Sequence, residues 1–388
     1  MSIARGFSKA EFAARTRHAQ QLMAERGLGA LLVCTEPEVR YFTGFLTPFW
    51  QSPTRPWFLI VPPTGKPIAV IPEIGVPLMA TTWLDDIRHW PSPRPEDDGV
   101  SLLIETLTDI GASHGNIGLP MGPETVLRMP LNDYQRLRAH LCDATFVDAT
   151  DIIRTLRMVK SEAEIAKLAD ICRIVSNGFA AVPANVHAGD RLCDVFAAFR
   201  TDLIGRGADE VPYLIGAAAP GGYDNIIAPP RDAPLAAGDL LMMDTGATRD
   251  GYFSDFDRNF AIGFADDATR RAYDTLFAAT EAGLAAAHPG ATCADLFNAM
   301  GRVIADAGYQ IGNAGRFGHG LGMQLTEWPS LRAADRTVLA PGMVLTLEPS
   351  LSTGPGRGMV HEENIVIRVN GPQLISQRAA PKLPVINP

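Results

Sequence analysis

Between residues 238 and 371, apolar runs repeatedly carry an acidic residue or a histidine at one end, and this pattern constrains the fold strongly. The run 240–243 leads into Asp244, and a turn then brings Asp255 eleven residues later. Two strands joined by such a turn can hold both carboxylates side by side. Because like charges that close repel each other, a cation between them is the natural resolution. The pattern therefore predicts paired strands that gather acidic side chains around metal.

Three further residues extend this pattern towards the carboxyl terminus. His319 lies among glycines, which let the backbone approach a ligand closely. Glu348 follows the apolar run 343–347, and Glu362 opens a last strand-like run. Any one of these residues alone is more often a turn or surface residue. Together with the two aspartates they favour a site for two divalent ions, since carboxylate oxygens can bridge a metal pair.

The chain length favours two domains, because 388 residues exceed what one hydrophobic core usually supports. Residues 1–154 alternate helix and strand signals, with a hairpin expected at 58–71, and are predicted to form an α/β domain. Ser161 and Glu164 have the spacing of a capping box, which predicts a helix start near residue 161. Helices grouped with antiparallel strands then predict an α+β domain over residues 155–388.

Charge and composition exclude several functions. A net charge of -9 without a cluster of lysine and arginine argues against nucleic-acid binding. No stretch approaches the roughly 20 apolar residues that a membrane span needs, and the amino terminus lacks the apolar core of a signal peptide. The five cysteines are dispersed without CxxC spacing, which is typical of reduced thiols. We therefore expect a cytoplasmic protein that binds neither membranes nor nucleic acid.

These motifs resemble the creatinase/aminopeptidase P/methionine aminopeptidase superfamily, which has the pita-bread fold. The resemblance covers nearly the whole chain and includes the following segments: Val39-Arg40-Tyr41-Phe42-Thr43-Gly44, residues 153–161, the interval from Asp244 to Asp255, Gly318-His319-Gly320, Leu347-Glu348-Pro349 and Glu362. It implies an α+β pita-bread catalytic domain preceded by a smaller α/β creatinase-like domain. It also implies two divalent ions, of manganese, cobalt, zinc or iron.

The resemblance assigns a role to each of the five residues. Asp255 and Glu362 would bridge the ions, Asp244 would bind one, and His319 with Glu348 would bind the other. Glu348 would also accept a proton during catalysis. Glu363 competes with Glu362 for the last position, since adjacent strand residues point to opposite faces. A gapless reading of the downstream strand favours Glu362, and a shift of one residue would favour Glu363.

The chain departs from the peptidases of this superfamily at two positions. They carry a second histidine seven residues after the ligand histidine, where this chain has Thr326, and another before the first aspartate, near Ile227. Candidate substitutes that are equally open to a structural role are Thr326, Arg316, Tyr223 and Arg231. Cleavage of Xaa-Pro peptides is the first expectation. The alternatives are a hydrolase or lyase that acts on a small non-peptide substrate of the ectoine, creatine or osmolyte type, and a non-enzymatic binding module of the same fold.

A homodimer is the expected assembly, and its basis is the resemblance together with two aromatic residues. Phe49 and Trp50 fall in a probable loop, and exposed aromatic side chains often mark interfaces. The alternative is that both rings fill the core of their own domain. The expected ligand is a dipeptide or another small molecule.

Overall fold

The computed structural model describes residues 4–223, 225, 227–312 and 314–387. The chain divides into two compact units, one of residues 4–157 and one that begins at Met158. The helices of the first unit are α1 (Lys9–Glu25), α2 (Glu36–Thr43), α3 (Val76–Met79), α4 (Val100–Asp109), α5 (Leu131–His140) and α6 (Thr150–Met158). Its strands are β1 (Leu28–Val33), β2 (Phe58–Val61), β3 (Ile68–Pro72), β4 (Ile87–Trp90), β5 (Asn116–Leu119) and β6 (Thr145–Asp148).

The first unit is an α/β domain built on one six-stranded sheet in the order β4-β3-β2-β1-β5-β6. The predicted hairpin is present, because β2 and β3 pair antiparallel with Phe58 opposite Val70. Strands β5 and β6 extend the sheet in parallel with β1. Helix α1 begins where the Ser8 side chain accepts a hydrogen bond from the Glu11 amide, and Gly27 follows its end with φ +63°.

Trp50 is buried inside the first unit, so the interpretation of this ring as an exposed interface residue is wrong. Its ring lies 5.8 Å from the Trp57 ring and 6.4 Å from the Phe45 ring, measured between centroids. Phe49 is half-buried, with its ring 6.3 Å from that of Trp57. The rings therefore form an aromatic cluster within their own unit. The homodimer stays a prediction, which light scattering at micromolar concentration would test.

The second unit is an α+β domain. Its helices are α7 (Glu162–Asn185), α8 (Leu192–Gly205), α9 (Asp267–Ala286) and α10 (Cys293–Asp306). Its strands are β7 (Glu210–Pro220), β8 (Asp239–Arg249), β9 (Tyr252–Phe253), β10 (Phe256–Ile262), β11 (Gln310–Ile311), β12 (His319–Gly320), β13 (Glu327–Ser330), β14 (Val344–Leu347), β15 (Ser350–Gly354), β16 (Arg357–Val360), β17 (Glu363–Arg368), β18 (Gly371–Leu374) and β19 (Val385–Ile386). They form sheets in the orders β19-β10-β8-β7, with β9 on β8, then β13-β12-β14-β17-β18 and β11-β15-β16.

Strand β8 separates two apolar cores of the second unit. Met243 belongs to the core that contains residues of α7 and α8, such as Val175. Met242 belongs to the core that contains residues of α9 and α10, such as Leu276 and Met300. Successive residues of a strand face opposite sides, so β8 supplies both cores in turn.

The predicted capping box starts α7: the Ser161 hydroxyl accepts from the Glu164 amide, and the Glu164 carboxylate accepts from the Ser161 amide. The expectation that Asp244 ends its strand is wrong, because β8 continues to Arg249. The strand-like segment 251–262 is divided into β9 and β10, with a break before Phe256. None of the helices in the described part of the chain is long and apolar enough to cross a membrane.

Candidate metal centre

The five residues that the sequence singles out come from two different sheets of the second unit. Asp244 lies within β8, and Asp255 directly precedes β10, the strand that pairs antiparallel with β8. His319 is the first residue of β12, Glu348 directly follows β14, and Glu362 directly precedes β17. Strand β14 lies between β12 and β17. Each sheet therefore holds its own residues at a fixed register.

The structure brings these side chains together. Asp255, His319 and Glu362 each offer one ligand atom within 4.8 Å of those of the other two. The His319 Nε2 atom lies 3.4 Å from Asp255 Oδ2 and 3.7 Å from Glu348 Oε2. The charges of Asp255 and Glu348 in turn act on Asp244. We call these five residues the carboxylate cluster.

Backbone contacts orient the His319 ring. Its Nδ1 atom lies 2.9 Å from the Gly320 carbonyl oxygen, so Nδ1 is the protonated nitrogen and donates there. The Nε2 lone pair then faces the acidic side chains, which is the usual arrangement of a metal-binding imidazole. The preceding Gly318 has φ +138°, and a Cβ there would lie 2.2 Å from the Thr346 carbonyl oxygen. This glycine is therefore required for the turn that presents His319.

The carboxylate cluster lacks the partners that buried acids normally need. Asp244 Oδ1 and Glu362 Oε1 are shielded from solvent and have no hydrogen-bond partner in the described part of the chain. An unpartnered buried carboxylate oxygen is costly. Oxygen and imidazole donors fit divalent cations of the Mn, Co, Zn or Fe type. These residues therefore fit a metal site.

The pKa values of these residues reflect the same excess of buried, unpartnered carboxylates. Burial, followed by the negative charge of Asp255, raises the pKa values of Asp244 and Glu362 well above their ordinary ranges. Burial raises the pKa of Asp255 to about 6, although His319 opposes this shift. Burial alone would lower the pKa of His319, but Glu348 and Asp255 raise it. A bound cation would reverse these shifts in the acids, because it favours their charged forms.

Glu363 occupies the opposite face of the same chain segment and meets positive charge. Its carboxylate lies 3.1 Å from Arg258 Nη2 and 3.1 Å from Arg378 Nη1, and it accepts from the Ala379 amide and the Ser376 hydroxyl. Burial would raise its pKa, but Arg258 and the other partners hold the pKa below its ordinary value. The structure thus places Glu362 in the carboxylate cluster and Glu363 outside it. We call Glu363, Arg258 and Arg378 the arginine network.

The proposed substitutes for histidine lie in different surroundings. Arg316 Nε lies 3.6 Å from Glu348 Oε1, and Arg316 Nη2 lies 3.4 Å from the Thr326 hydroxyl, so Arg316 contacts both residues. Tyr223 is buried, and its hydroxyl is occupied by Asn259 and the Val360 amide. Tyr223 is therefore committed to internal contacts.

Two residues near the missing first histidine lie in solvent. Arg231 is exposed, and Ile227 is 76% exposed. Ile227, which falls near the position of the missing histidine, therefore does not line a buried apolar pocket. The Ile227 amide instead donates to the Asn225 side chain within the same loop.

Tyr213 is a residue of the centre that the sequence reasoning missed. It lies on β7, and its hydroxyl lies close enough to the Asp244 carboxylate for each group to shift the pKa of the other. Burial, followed by the negative charge of Asp244, raises the pKa of Tyr213. No local motif marks this tyrosine, because the contact depends on the pairing of β7 with β8. The only available signal was a polar ring in an otherwise apolar strand.

Comparison with known proteins agrees with this arrangement. Residues 150–368 match the model of Metallopeptidase family M24, and residues 15–159 match the Creatinase/Prolidase N-terminal domain. A probable dipeptidase PepE of Mycobacterium tuberculosis is 29% identical over 94% of this chain and 93% of the relative. An Xaa-Pro dipeptidase of Pyrococcus horikoshii is 27% identical over 92% of this chain and 95% of the relative. The crystal structure of dipeptidase PepE from Mycobacterium ulcerans, 28% identical, covers 99% of this chain and 100% of that one with a TM-score of 0.85.

The chain belongs to metallopeptidase family M24, since the family model matches more than half of its length. It is a metal-dependent hydrolase with a pita-bread catalytic unit preceded by a creatinase-type amino-terminal domain. The resemblance inferred from the sequence motifs is thereby confirmed at the level of family and fold.

Proposed function

We propose that this chain is a dinuclear-metal hydrolase that cleaves a C–N amide bond in a dipeptide or a small dipeptide-like molecule. The observation that carries the proposal is the convergence of the carboxylate cluster, in which oxygens of Asp244 and Glu362 have no hydrogen-bond partner among the described residues. The relatives named as dipeptidases support the substrate class. Two divalent ions, when bound, would supply Lewis-acid activation of the substrate carbonyl and of water.

The chain's own residues have separate tasks in this proposal. The ions are held by the five residues of the carboxylate cluster, which are Asp244, Asp255, His319, Glu348 and Glu362. The Glu348 carboxylate lies 3.6 Å from the Arg316 guanidinium, and the Glu348 side chain is 18% exposed. It can therefore meet substrate and accept a proton. His319, anchored through Nδ1, keeps its ring in place while charge develops nearby.

Arg316 and Thr326 replace imidazole on the substrate side of Glu348 in this proposal. The Arg316 guanidinium carries a permanent positive charge and several fixed donors, which suit a carboxylate or a developing oxyanion. The Thr326 hydroxyl can donate or accept, and its contact with Arg316 holds the guanidinium near Glu348. Neither group can shuttle a proton as imidazole does. This difference favours a second candidate, a hydrolase for a small non-peptide amide, alongside the Xaa-Pro dipeptidase.

One substrate screen tests both candidates. Protein loaded with Mn²⁺ or Co²⁺ is assayed against a series of Xaa-Pro dipeptides, other dipeptides, and small cyclic or guanidino amides. Weak Xaa-Pro turnover together with faster turnover of a smaller amide supports the second candidate. Xaa-Pro turnover on the order of 10 s⁻¹, an ordinary enzymatic rate, supports the dipeptidase and overturns the argument from the missing histidines.

A variant pair sharpens the assay. Thr326→His restores an imidazole beside Arg316, and it should raise a weak peptidase activity if the missing histidine is the limiting feature. Thr326→Val is the matched control, because it keeps the shape and removes the hydroxyl. Amide hydrolysis that persists in metal-free protein at the metal-loaded rate would overturn the proposed function.

A further inference from the structure

A further buried carboxylate lies beside the carboxylate cluster and has no role in the function proposed so far. Asp257 is fully buried on β10, two residues after Asp255 and directly opposite Asp244 on β8. Directly opposed residues of an antiparallel pair project from the same face of the sheet. The Asp257 charge acts on both Asp244 and Glu362. Asp257 therefore lies in the same electrostatic environment as the carboxylate cluster.

Half of the Asp257 carboxylate is fixed by a chain of hydrogen bonds. The Tyr223 hydroxyl donates to Asn259 Oδ1 at 3.0 Å, and Asn259 Nδ2 donates to Asp257 Oδ2 at 2.8 Å. Asn259 Nδ2 also meets the Val360 carbonyl oxygen at 2.7 Å, which leaves the amide little freedom to rotate. The orientation of the Asp257 carboxylate is thus set from one side.

The other oxygen, Asp257 Oδ1, is buried and has no hydrogen-bond partner among the described residues. A proton on this oxygen would not satisfy it, because the resulting hydroxyl would have no acceptor. The charge of the adjacent Arg258 favours the ionised form of this carboxylate, but its guanidinium donates its hydrogen bonds to the Asp257 carbonyl, the Glu362 carbonyl and Glu363. A cation bound on the side of Asp244 would complete the environment of Oδ1.

We propose that Asp257 is an additional anionic residue of the metal centre, which strengthens binding of one of the two ions on the Asp244 side. This inference rests on the proposed function, because it takes the metal centre as given. Its physical basis is that added anionic oxygens raise the affinity of a site for a divalent cation. Residues that surround or orient metal ligands contribute about 10- to 100-fold to metal affinity.

Metal loading of the full chain tests the inference without an activity assay. Chelator-stripped protein is dialysed against buffers of stepped free Mn²⁺ concentration, and bound manganese per chain is counted by elemental analysis. Asp257→Asn keeps the shape and the hydrogen bond from Asn259 but removes the charge. This variant should need at least about tenfold more free Mn²⁺ to take up one of the two ions. Asp257→Ser removes the same charge with a smaller side chain and should show the same shift.

Asp239→Asn is the matched control. Asp239 is also a buried aspartate, at the start of β8, but its carboxylate accepts a hydrogen bond from the Ala236 amide, so this variant should load as the wild type does. If folded Asp257 variants load at the same free Mn²⁺ as the wild type, this inference falls and the proposed function stands. If the wild type itself binds no manganese, cobalt, zinc or iron, both fall.

Discussion

Two neighbouring glutamates, Glu362 and Glu363, lie in opposite electrostatic surroundings. Glu362 faces Asp244 and Asp255, and one of its oxygens has no hydrogen-bond partner among the described residues. Glu363 is just as buried, but two arginines surround it. The pKa of Glu362 is accordingly raised, first by burial, and the pKa of Glu363 is lowered by its positive neighbours despite burial.

In the proposed function, this contrast assigns metal binding to Glu362 and fold stability to Glu363. The arginine network meets a further negative charge outside it: Arg378 also contacts Glu281, and its guanidinium lies 3.9 Å from the centre of the Phe277 ring. The carboxylate cluster contains one imidazole for four carboxylates, with Arg316 at its edge. Such an excess of negative charge favours the uptake of cations or protons. The predictions below test this division.

The largest effect is expected for Glu362→Gln. The amide keeps the size of the side chain but removes one anionic ligand from the carboxylate cluster. We expect turnover of the best substrate from the screen to fall by at least about 10²–10³-fold, the scale of losing one preorganised electrostatic group. Steady-state kinetics at saturating metal measures this. If Glu363→Gln abolishes turnover and Glu362→Gln does not, the assignment of the two faces is reversed.

Glu363→Gln should instead reduce stability. Gln cannot balance Arg258 and Arg378, and breaking a buried ion pair from one side costs about 3–5 kcal/mol in free energy of unfolding. Denaturant unfolding of the metal-loaded protein measures this, with residual turnover in the fraction that stays folded. Glu281→Gln is the control, since Glu281 meets the same Arg378 but its side chain is 53% exposed, and it should cost only about 0–1 kcal/mol. Equal losses in both variants would contradict a special role for the buried pair.

Much of the carboxylate cluster could be predicted from sequence, because its residues sit beside apolar runs with recognisable turns. The glycines around His319 marked a turn, and Gly318 is required there by its positive φ. The choice between Glu362 and Glu363 followed from strand alternation and a gapless register. The start of α7 was predicted by its capping box, since that signal is local.

What the sequence did not reveal depends on partners far along the chain. The arginine network joins β10 to residues near 378, more than 100 positions later, and no local pattern reports such pairing. Strand β7 was missed because proline and glycine interrupt its apolar run, yet it carries Tyr213. Trp50 was ambiguous because a loop ring and a core ring look alike in sequence, and only the cluster with Trp57 decides it.

Removing metal should lower the stability that the carboxylate cluster contributes and should leave the contribution of the arginine network unchanged. A cation present at 100 times its dissociation constant stabilises the folded state by about 2.7 kcal/mol. We therefore expect chelation to lower the melting temperature of the wild type and of Glu363→Gln by similar amounts. Glu362→Gln should respond much less, since its site is already impaired. Calorimetry with and without Mn²⁺ measures the difference, and an unchanged melting temperature in stripped wild type would contradict the need for added cations.

The smallest effect is expected for Tyr213→Phe, which removes a neutral donor from the carboxylate cluster without changing its charge. The Tyr213 hydroxyl lies near Asp244, and a hydrogen bond between two such groups contributes about 1 kcal/mol, or roughly fivefold in rate. Because Tyr213 acts through Asp244, kcat should fall while KM stays nearly constant. Tyr252→Phe is the matched control: it removes a buried tyrosine hydroxyl that donates to Glu164 at 2.9 Å and should alter stability rather than kcat. A loss in Tyr213→Phe as large as that in Glu362→Gln would mean that neutral hydrogen bonds, and not charge, govern the cluster.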